Sequence, residues 1–401
     1  MKNSNGEGST YFDNKRNCYV HQFSYFDKLE NKTCRKKRYG KTVREAKKKK
    51  KEFLDKKEAE YKEALGNAVD LKQKPEFSIS PTSLTSEWLD YWLETIKKPS
   101  IQLKTYEKYE GFIRNNINPF IGCTPLNKVS IAQVQQLLVS LLTSGGEKRK
   151  GLAPRTVNAT RMMLKTAFSD AVNFDLLQKN PVLATKAMSM NPTTINILTP
   201  EEGKKLISVA LKSGYFPWIT LILALETGMR IGEIFGLQWS NIDLENRKLR
   251  VDKTVVTTRH GDIIKDSGKN KFSKRSIPLA PHTVESLKKY RKWQLEASIM
   301  LGAEYSKSDW VLSNANGSPY SPNYFSSHMF KDLLKEAGID RNVRFHDLRH
   351  THATWLLEKG VNVKVVSERL GHASIRITLD TYSHVLKTMQ EKAVEAIEEI
   401  F

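Results

Sequence analysis

Apolar residues recur with helical spacing along most of this chain and with strand spacing in only two stretches. Leu84, Trp88, Tyr91, Trp92 and Ile96 predict one amphipathic helix, and Thr105 to Asn116 a second that ends before Ile117-Asn118-Pro119. Ser130 is placed to cap a third, with Val134, Leu137, Leu138, Leu141 and Leu142 on its inner face. Thr156 to Asn173 predicts a fourth, and Asn180-Pro181 closes an all-helical block over residues 83–190.

The strand rhythm comes first at the start of the chain. Tyr11-Phe12, the aromatic alternation from Cys18 to Tyr25, and Lys32 to Tyr39 predict three short strands. A helix from Val43 to about Ala64 completes a small α+β module over residues 1–75. Residues 66–82 and 186–198 read as linkers. The pattern changes at residue 195. Thr199-Pro200-Glu201-Glu202 is a helix start, with a capping Thr, Pro in the first turn and acids near the positive end. Pro217 to Glu226 is almost wholly apolar, yet only roughly half a membrane span, so a buried core helix is expected. Residues 247–280 predict one small antiparallel sheet, with strands at Leu249 to Thr257, around Ile263-Ile264, and at Ser276 to Leu279. The expected fold is therefore multidomain: a small α+β module, an all-α domain, and a mainly α domain over residues 195–401 carrying a small antiparallel sheet.

Charge adds a partner class. The 401 residues carry a formal net charge of +21, the footprint of a protein that meets a polyanion. Residues 1–75 hold 21 Lys/Arg against 11 Asp/Glu, so nearly half the surplus sits in the first module. Arg35, Lys36, Lys37 and Arg38 fall on its last strand; Lys148, Arg149, Lys150, Arg155, Arg161 and Lys165 cluster around one loop and helix of the second. All ten are candidate phosphate contacts. The three cysteines are scattered, against a disulfide frame or a Cys-based zinc site. The polar N-terminus gives no expectation of a signal peptide, and no apolar run reaches membrane length.

The chemistry concentrates near the end. Five of the nine histidines fall between His346 and His384. Arg344-Phe345-His346-Asp347-Leu348-Arg349-His350 opens a helix on which Leu348, His352, Trp355 and Leu356 form a buried stripe. His346 and Arg349, three apart, share another face. Leu370-Gly371-His372 ends the next helix, and Ser374 caps a turn leading to Tyr382. Far upstream, Arg230 follows the buried helix directly, where an unpaired guanidinium is costly, and Glu233 is its natural partner. Cations, histidines and a tyrosine in this arrangement suit the holding of a phosphodiester while a tyrosine attacks it.

Ala224-Leu225-Glu226-Thr227-Gly228-Met229-Arg230-Ile231-Gly232-Glu233, His346-Asp347-Leu348-Arg349-His350, Leu370-Gly371-His372 and Tyr382-Ser383-His384, in that order, resemble the boxes of the tyrosine recombinases, the phage integrase family. The three-part layout is similar to that of integrases from conjugative transposons and temperate phages. The resemblance implies that Tyr382 attacks the scissile phosphate, leaving a 3′-phosphotyrosyl link and a free 5′-hydroxyl. Arg230 and Arg349 would clamp the non-bridging oxygens, His346 would donate a hydrogen bond and assist proton transfer, His372 would bind a phosphate oxygen, and Glu233 would support Arg230. A lysine between the last two strands would protonate the leaving oxygen. Lys269 fits best, counting back from Ile277-Pro278, with Lys271 the runner-up.

No cofactor and no metal are expected: His346 and His350 are four apart, but no Glu stands where a zinc-protease helix needs one. His350 and His352 read as packing or hydrogen-bonding residues. The implied partners are double-stranded DNA at core and arm sites, a homotetramer assembled on it, and a host DNA-bending protein or excisionase, in the nucleoid of a bacterial cytoplasm. An amphipathic stripe from Val385 to Ile400 suggests a tail helix that docks on a neighbouring subunit. A chromosome-dimer resolvase, a relaxing type IB topoisomerase and an architectural DNA-binding protein are the competing readings. The basic first module and the full residue set weigh against them.

Overall fold

The computed structural model describes residues 8–13, 17–27, 32–69, 79–145, 150–190, 195–266, 274–383 and 397–398. Two compact units divide at Ser80 and Pro81. Lys148, Arg149, Lys269, Lys271 and most of the tail stripe lie outside the described residues.

In the first unit, β1 (Ser9–Asp13), β2 (Cys18–Asp27) and β3 (Lys32–Gly40) form an antiparallel sheet in that order, followed by α1 (Val43–Val69). The helix runs about a turn past the expected end. Val20, Phe23 and Ala46 are buried, and Phe53 of α1 meets the rings of Phe23 and Tyr25. β3 is an edge strand. Arg38 lies over the Phe53 ring at 4.1 Å, so strand alternation sends Arg35 and Lys37 to the opposite face. The basic run thus divides between two faces, with Arg35, Lys36 and Lys37 exposed.

The second unit begins with helices. α2 (Thr85–Tyr91) continues through a π-helical turn to Lys97, and α3 (Leu103–Phe112) does so to Ile117, running directly into α4 (Asn118–Ile121). α5 (Ile131–Ser144) is capped by Ser130, whose Oγ accepts from the Gln133 N–H. α6 (Pro154–Asn173) starts two residues before the expected position because Pro154 suits the first helical turn. Trp88 and Trp92 fasten α2 to α6 by donating to the Ala167 carbonyl at 3.2 Å and to Asp170 Oδ2 at 2.7 Å.

The remaining helices wrap one core. α7 (Pro200–Ser213) has its Thr199 cap and Glu202 closing a capping box. α8 (Tyr215–Thr227) is buried almost all round, at the centre of the core. α9 (Ile231–Phe235) follows after a sharp bend. Then come β4 (Ile242–Asp243), β5 (Lys248–Val251), β6 (Lys253–Thr258), β7 (Gly261–Asp266) and β8 (Arg275–Pro278). α10 (Pro281–Leu301), α11 (Pro322–Tyr324) and α12 (Phe330–Glu336) lead to α13 (Asp347–Glu358), α14 (Val363–Leu370) and α15 (Ile375–Thr381).

The single sheet expected over residues 247–280 is two. β4-β5-β8 form one antiparallel sheet and β6-β7 a separate hairpin. The long first strand breaks at Asp252, whose carboxylate takes Asn241 Nδ2 at 3.0 Å and Arg250 Nε at 2.5 Å. β5 then stays with the core through Leu249 and Val251, while β6 leaves to pack on α9 and α3. Arg259 in the hairpin turn pairs with Glu110 of α3 and donates to the Glu107 carbonyl at 2.8 Å. Among the described residues no helix is long and apolar enough to cross a membrane.

Gly228 ends α8 at φ +65, and a Cβ there would sit 2.6 Å from the His352 ring and 2.8 Å from Leu370. Gly228→Ala combines left-handed strain with that clash, so it should cost more than about 1 kcal/mol. Thermal unfolding of the full chain measures this; an unchanged midpoint would show that the bend tolerates a side chain.

Candidate active site

Three helix ends meet behind one cleft. α8 stops at Gly228, α14 stops at Gly371 with φ +68, and α13 starts at His346. Carbonyls at helix C-termini carry the negative end of the macrodipole and welcome cations. Two arginines use them. Arg349, only 4% exposed, donates from Nη1 to Gly228 O at 2.8 Å and from Nη2 to Leu370 O at 2.7 Å. Burial first, and then neighbouring Arg230, press its pKa down to about 9, which leaves it cationic at neutral pH. Arg230 is more open, its side chain 40% exposed. It pairs through Nη1 with Glu233 Oε1 at 2.7 Å and reaches Gly371 O at 3.4 Å.

Glu233 is the partner the sequence suggested, and it holds more than one group. Its Oε2 accepts the Arg230 backbone N–H at 3.0 Å, closing the first turn of α9. The same oxygen takes Arg275 Nη2 at 2.9 Å. Burial alone would raise this carboxyl; ion pairs with Arg275 and Arg230 outweigh it and hold the pKa below the ordinary 4.5.

The histidines fill the cleft walls. His346 sits edge-on to His350, ring centroids 5.0 Å apart. Burial, then Arg349, lowers its pKa. His372, on the turn after α14, bonds Thr378 Oγ1 through Nδ1 at 2.7 Å. Burial and the two arginines take it down to about 4. Tyr382 follows α15 and is buried, 1% exposed, against Ala353, Leu357, Val366 and Leu370. Its hydroxyl lies 2.9 Å from His350 Nδ1. Burial raises the phenol to about 12, while burial and His346 lower His350 to about 4.

Arg230, His346, Arg349, His350, His372 and Tyr382 all line one cleft of about 340 Å³. The structure thus gathers six of the seven residues singled out from sequence at or beside it; Lys269 is outside the described residues. Two neighbours were not anticipated as such. His350, read as a packing or hydrogen-bonding residue, is hydrogen-bonded to Tyr382, a partner that had not been assigned to it. Arg275 had no reading at all, although it shares the inward face of β8 with buried Ile277, two residues on. Elsewhere, Arg161 is not free to meet phosphate: its guanidinium donates to Thr185 Oγ1 at 2.8 Å and to Thr185 O at 2.6 Å, tying α6 to the segment after it. Lys150 and Arg155 are exposed and Lys165 is half-buried. Among the described residues no group of three or more His, Cys, Asp or Glu could hold a metal ion.

Behind the cleft, His352 is fixed in one neutral tautomer. Its Nδ1 bonds Leu225 O at 2.7 Å and its Nε2 accepts from Arg369 Nε at 3.1 Å. Burial, then Arg369, lowers its pKa to about 4.

Residues 196–389 match the phage integrase family, and residues 85–142 match the phage integrase N-terminal SAM-like domain. The chain is 31% identical over 388 residues to a protein named tyrosine recombinase XerC-like from Caldanaerobacter subterraneus subsp. tengcongensis, covering 92% of this chain and 93% of that one. It is 25% identical over 295 residues to the ICEBs1 integrase of Bacillus subtilis, covering 74% and 77%. The Tn1549 transposon integrase, solved in complex with a circular intermediate DNA, superposes with a TM-score of 0.64 at 21% identity, covering 78% of this chain and 100% of that one; at that identity the likeness is one of fold.

His350, His352 and His372 titrate near 4 in the fold against an ordinary 6.5. Between those values the unfolded chain binds more protons, so their contribution is complete above about pH 6.5 and lost as pH falls toward 4. The unfolding midpoint should therefore drop from pH 7 to pH 5, and His352→Gln should flatten part of that slope. A His352→Gln chain with the wild-type slope would contradict a neutral buried ring.

Proposed function

The chain belongs to the phage integrase family, the tyrosine recombinases, and from that premise we propose that it is a site-specific integrase: it cuts and rejoins DNA to insert and excise a mobile element. One observation carries this. Tyr382 and the two arginines best suited to grip a phosphate, Arg230 and Arg349, face a single cleft within one chain. Planar guanidinium forks match phosphate oxygens in pairs and stabilise the charge of a pentavalent phosphorus.

The Tyr382 oxygen attacks the scissile phosphorus. The bond to the 5′-oxygen breaks and a 3′-phosphotyrosyl ester forms. The departing oxygen takes a proton from Lys269 or Lys271, and the reverse attack by a 5′-hydroxyl from the other duplex reseals the strand. No outside energy source is needed, because one phosphodiester is exchanged for another. His372 and His346 donate to the phosphate oxygens. His350 Nδ1 is the acceptor nearest the phenol.

In the resting site that transfer does not run. Burial pushes the phenol up to about 12 and the neighbouring imidazole down to about 4, a gap that keeps the proton on the phenol oxygen. A seated phosphate narrows it from one side, since its negative charge raises the histidine. Displacement of the phenol toward the arginines narrows it from the other. Tyr382 thus stays a protonated, buried side chain until DNA arrives.

Each chain supplies one Tyr382 with its two arginines, and two duplexes cut on both strands present four phosphates. A homotetramer on DNA follows from that count. Three parts divide the work: residues 1–75 take arm sites through Arg35, Lys36, Lys37 and Arg38, residues 83–190 take core sites with Lys148, Arg149, Lys150, Arg155 and Lys165, and residues 195–401 do the chemistry. An excisionase or a DNA-bending protein joins through the arm sites, and the setting is the bacterial nucleoid. The second reading is a chromosome-dimer resolvase of the same family. Protection of two unlike DNA sequences, one by residues 1–75 and one by the rest, separates an integrase from a resolvase that reads core sites alone.

A nicked suicide duplex carrying the element's end, mixed with wild type or Tyr382→Phe in EDTA, tests the reading. Wild type should form a covalent protein–DNA band and Tyr382→Phe should bind without one. Retained binding by both with no band from either would count against a recombinase.

A further inference from the structure

Glu233 poses an electrostatic problem for the reaction assigned above. Its carboxylate is 5% exposed and lies 2.7 Å from the Arg230 guanidinium. Alone, the two would make a neutral pair. Arg349 would then be left as the one uncompensated arginine facing a phosphodiester, whose charge doubles at the pentavalent stage. A support that cancels the charge it positions is a poor support.

Arg275 resolves this. Its side chain is 7% exposed, and it meets Glu233 as a fork, Nη2 to Oε2 at 2.9 Å and Nη1 to Oε1 at 3.3 Å. Its Nε donates to the Arg369 carbonyl at 2.7 Å, which fixes the guanidinium plane on the last turn of α14. Arg275 is not among the residues that line the cleft. It neutralises Glu233 from behind and leaves the cluster of Arg230, Arg275, Arg349 and Glu233 with two net positive charges.

We propose that Arg275 is the counter-charge of Glu233, a positioning residue that lets Glu233 orient Arg230 without consuming its charge. The geometry adds a second effect. The Arg275 fork fixes the carboxylate plane, so Glu233 takes Arg230 through one Nη only, while the other reaches Gly371 O at 3.4 Å. Arg275 also opens β8, directly after the segment that holds Lys269 and Lys271, so the strand following the candidate acid is tied to the carboxylate that orients the first arginine. This rests on the reading of the cleft as a phosphodiester-cleaving site.

The test is a charge cycle in the full chain: wild type, Arg275→Gln, Arg275→Lys, Glu233→Gln, and Arg275→Gln with Glu233→Gln. Each is scored for single-turnover adduct formation on the suicide duplex, for DNA affinity and for unfolding midpoint. Arg275→Gln should slow adduct formation by about 100-fold or more, with DNA affinity changed by less than about threefold. Arg275→Lys keeps the charge and should recover about tenfold of the loss.

The decisive comparison is the double variant. Removing the Glu233 charge removes the need for its counter-charge, so the double should cut faster than Arg275→Gln and within about tenfold of Glu233→Gln. It removes both buried partners of the Glu233–Arg275 pair together, so it keeps the comparison open if either single variant unfolds. Losses that simply multiply, or an Arg275→Gln chain that cuts at the wild-type rate, would overturn the proposal while the wild-type band still stood. Absence of that band would instead overturn the reading of the cleft, and this proposal with it.

Discussion

Everything around the cleft follows from burying the guanidinium of Arg349. An isolated ion taken into a protein interior costs several kcal/mol even after relaxation. Here the charge is met by the ends of two helices, through Gly228 O and Leu370 O. Those carbonyls are available only because α8 and α14 both stop in the left-handed turn that glycine adopts readily. The same ends direct Arg230, which begins α9 just beyond the first stop and touches the carbonyl of the second. One local device therefore places both cations, and it does so with dipoles that do not neutralise them.

The remaining charges are arranged around that core. Glu233 is the carboxylate paired with Arg230, and Arg275 answers it from the far side. His350 and His372 are held neutral by burial and by the arginines, so the apo cleft presents its positive charge at fixed, directional guanidiniums. Tyr382 lies among apolar side chains with its hydroxyl on His350. Its raised pKa is the consequence of the same burial.

Much of this was readable from spacing. The uninterrupted apolar run of α8, the Thr199 and Ser130 caps, and the Gly371 stop follow from local rules, and the structure has them. Arg230 and Glu233 could be paired because residues three apart on one turn face each other. What was not legible depends on tertiary contacts. Arg275 meets Glu233 across 42 positions of sequence, and no local pattern carries that. The expected sheet splits at Asp252, where β5 pairs with the distant β8 and β6 with the adjacent β7. Arg161 looked like one more cation on a basic helix, yet its partner, Thr185, lies 24 positions on. His350 read as packing or hydrogen-bonding, but its partner could not be named, because the hydroxyl it meets is 32 positions away.

The central claim is that the nucleophile and the phosphate clamp work within one chain. Mixing Arg230→Ala, which keeps Tyr382 but loses the clamp, with Tyr382→Phe, which keeps the clamp but loses the nucleophile, measures this directly on a suicide duplex. The mixture should be as silent as either variant alone. A covalent band that appears only on mixing would show the tyrosine of one chain attacking a phosphate held by another, and would contradict the account.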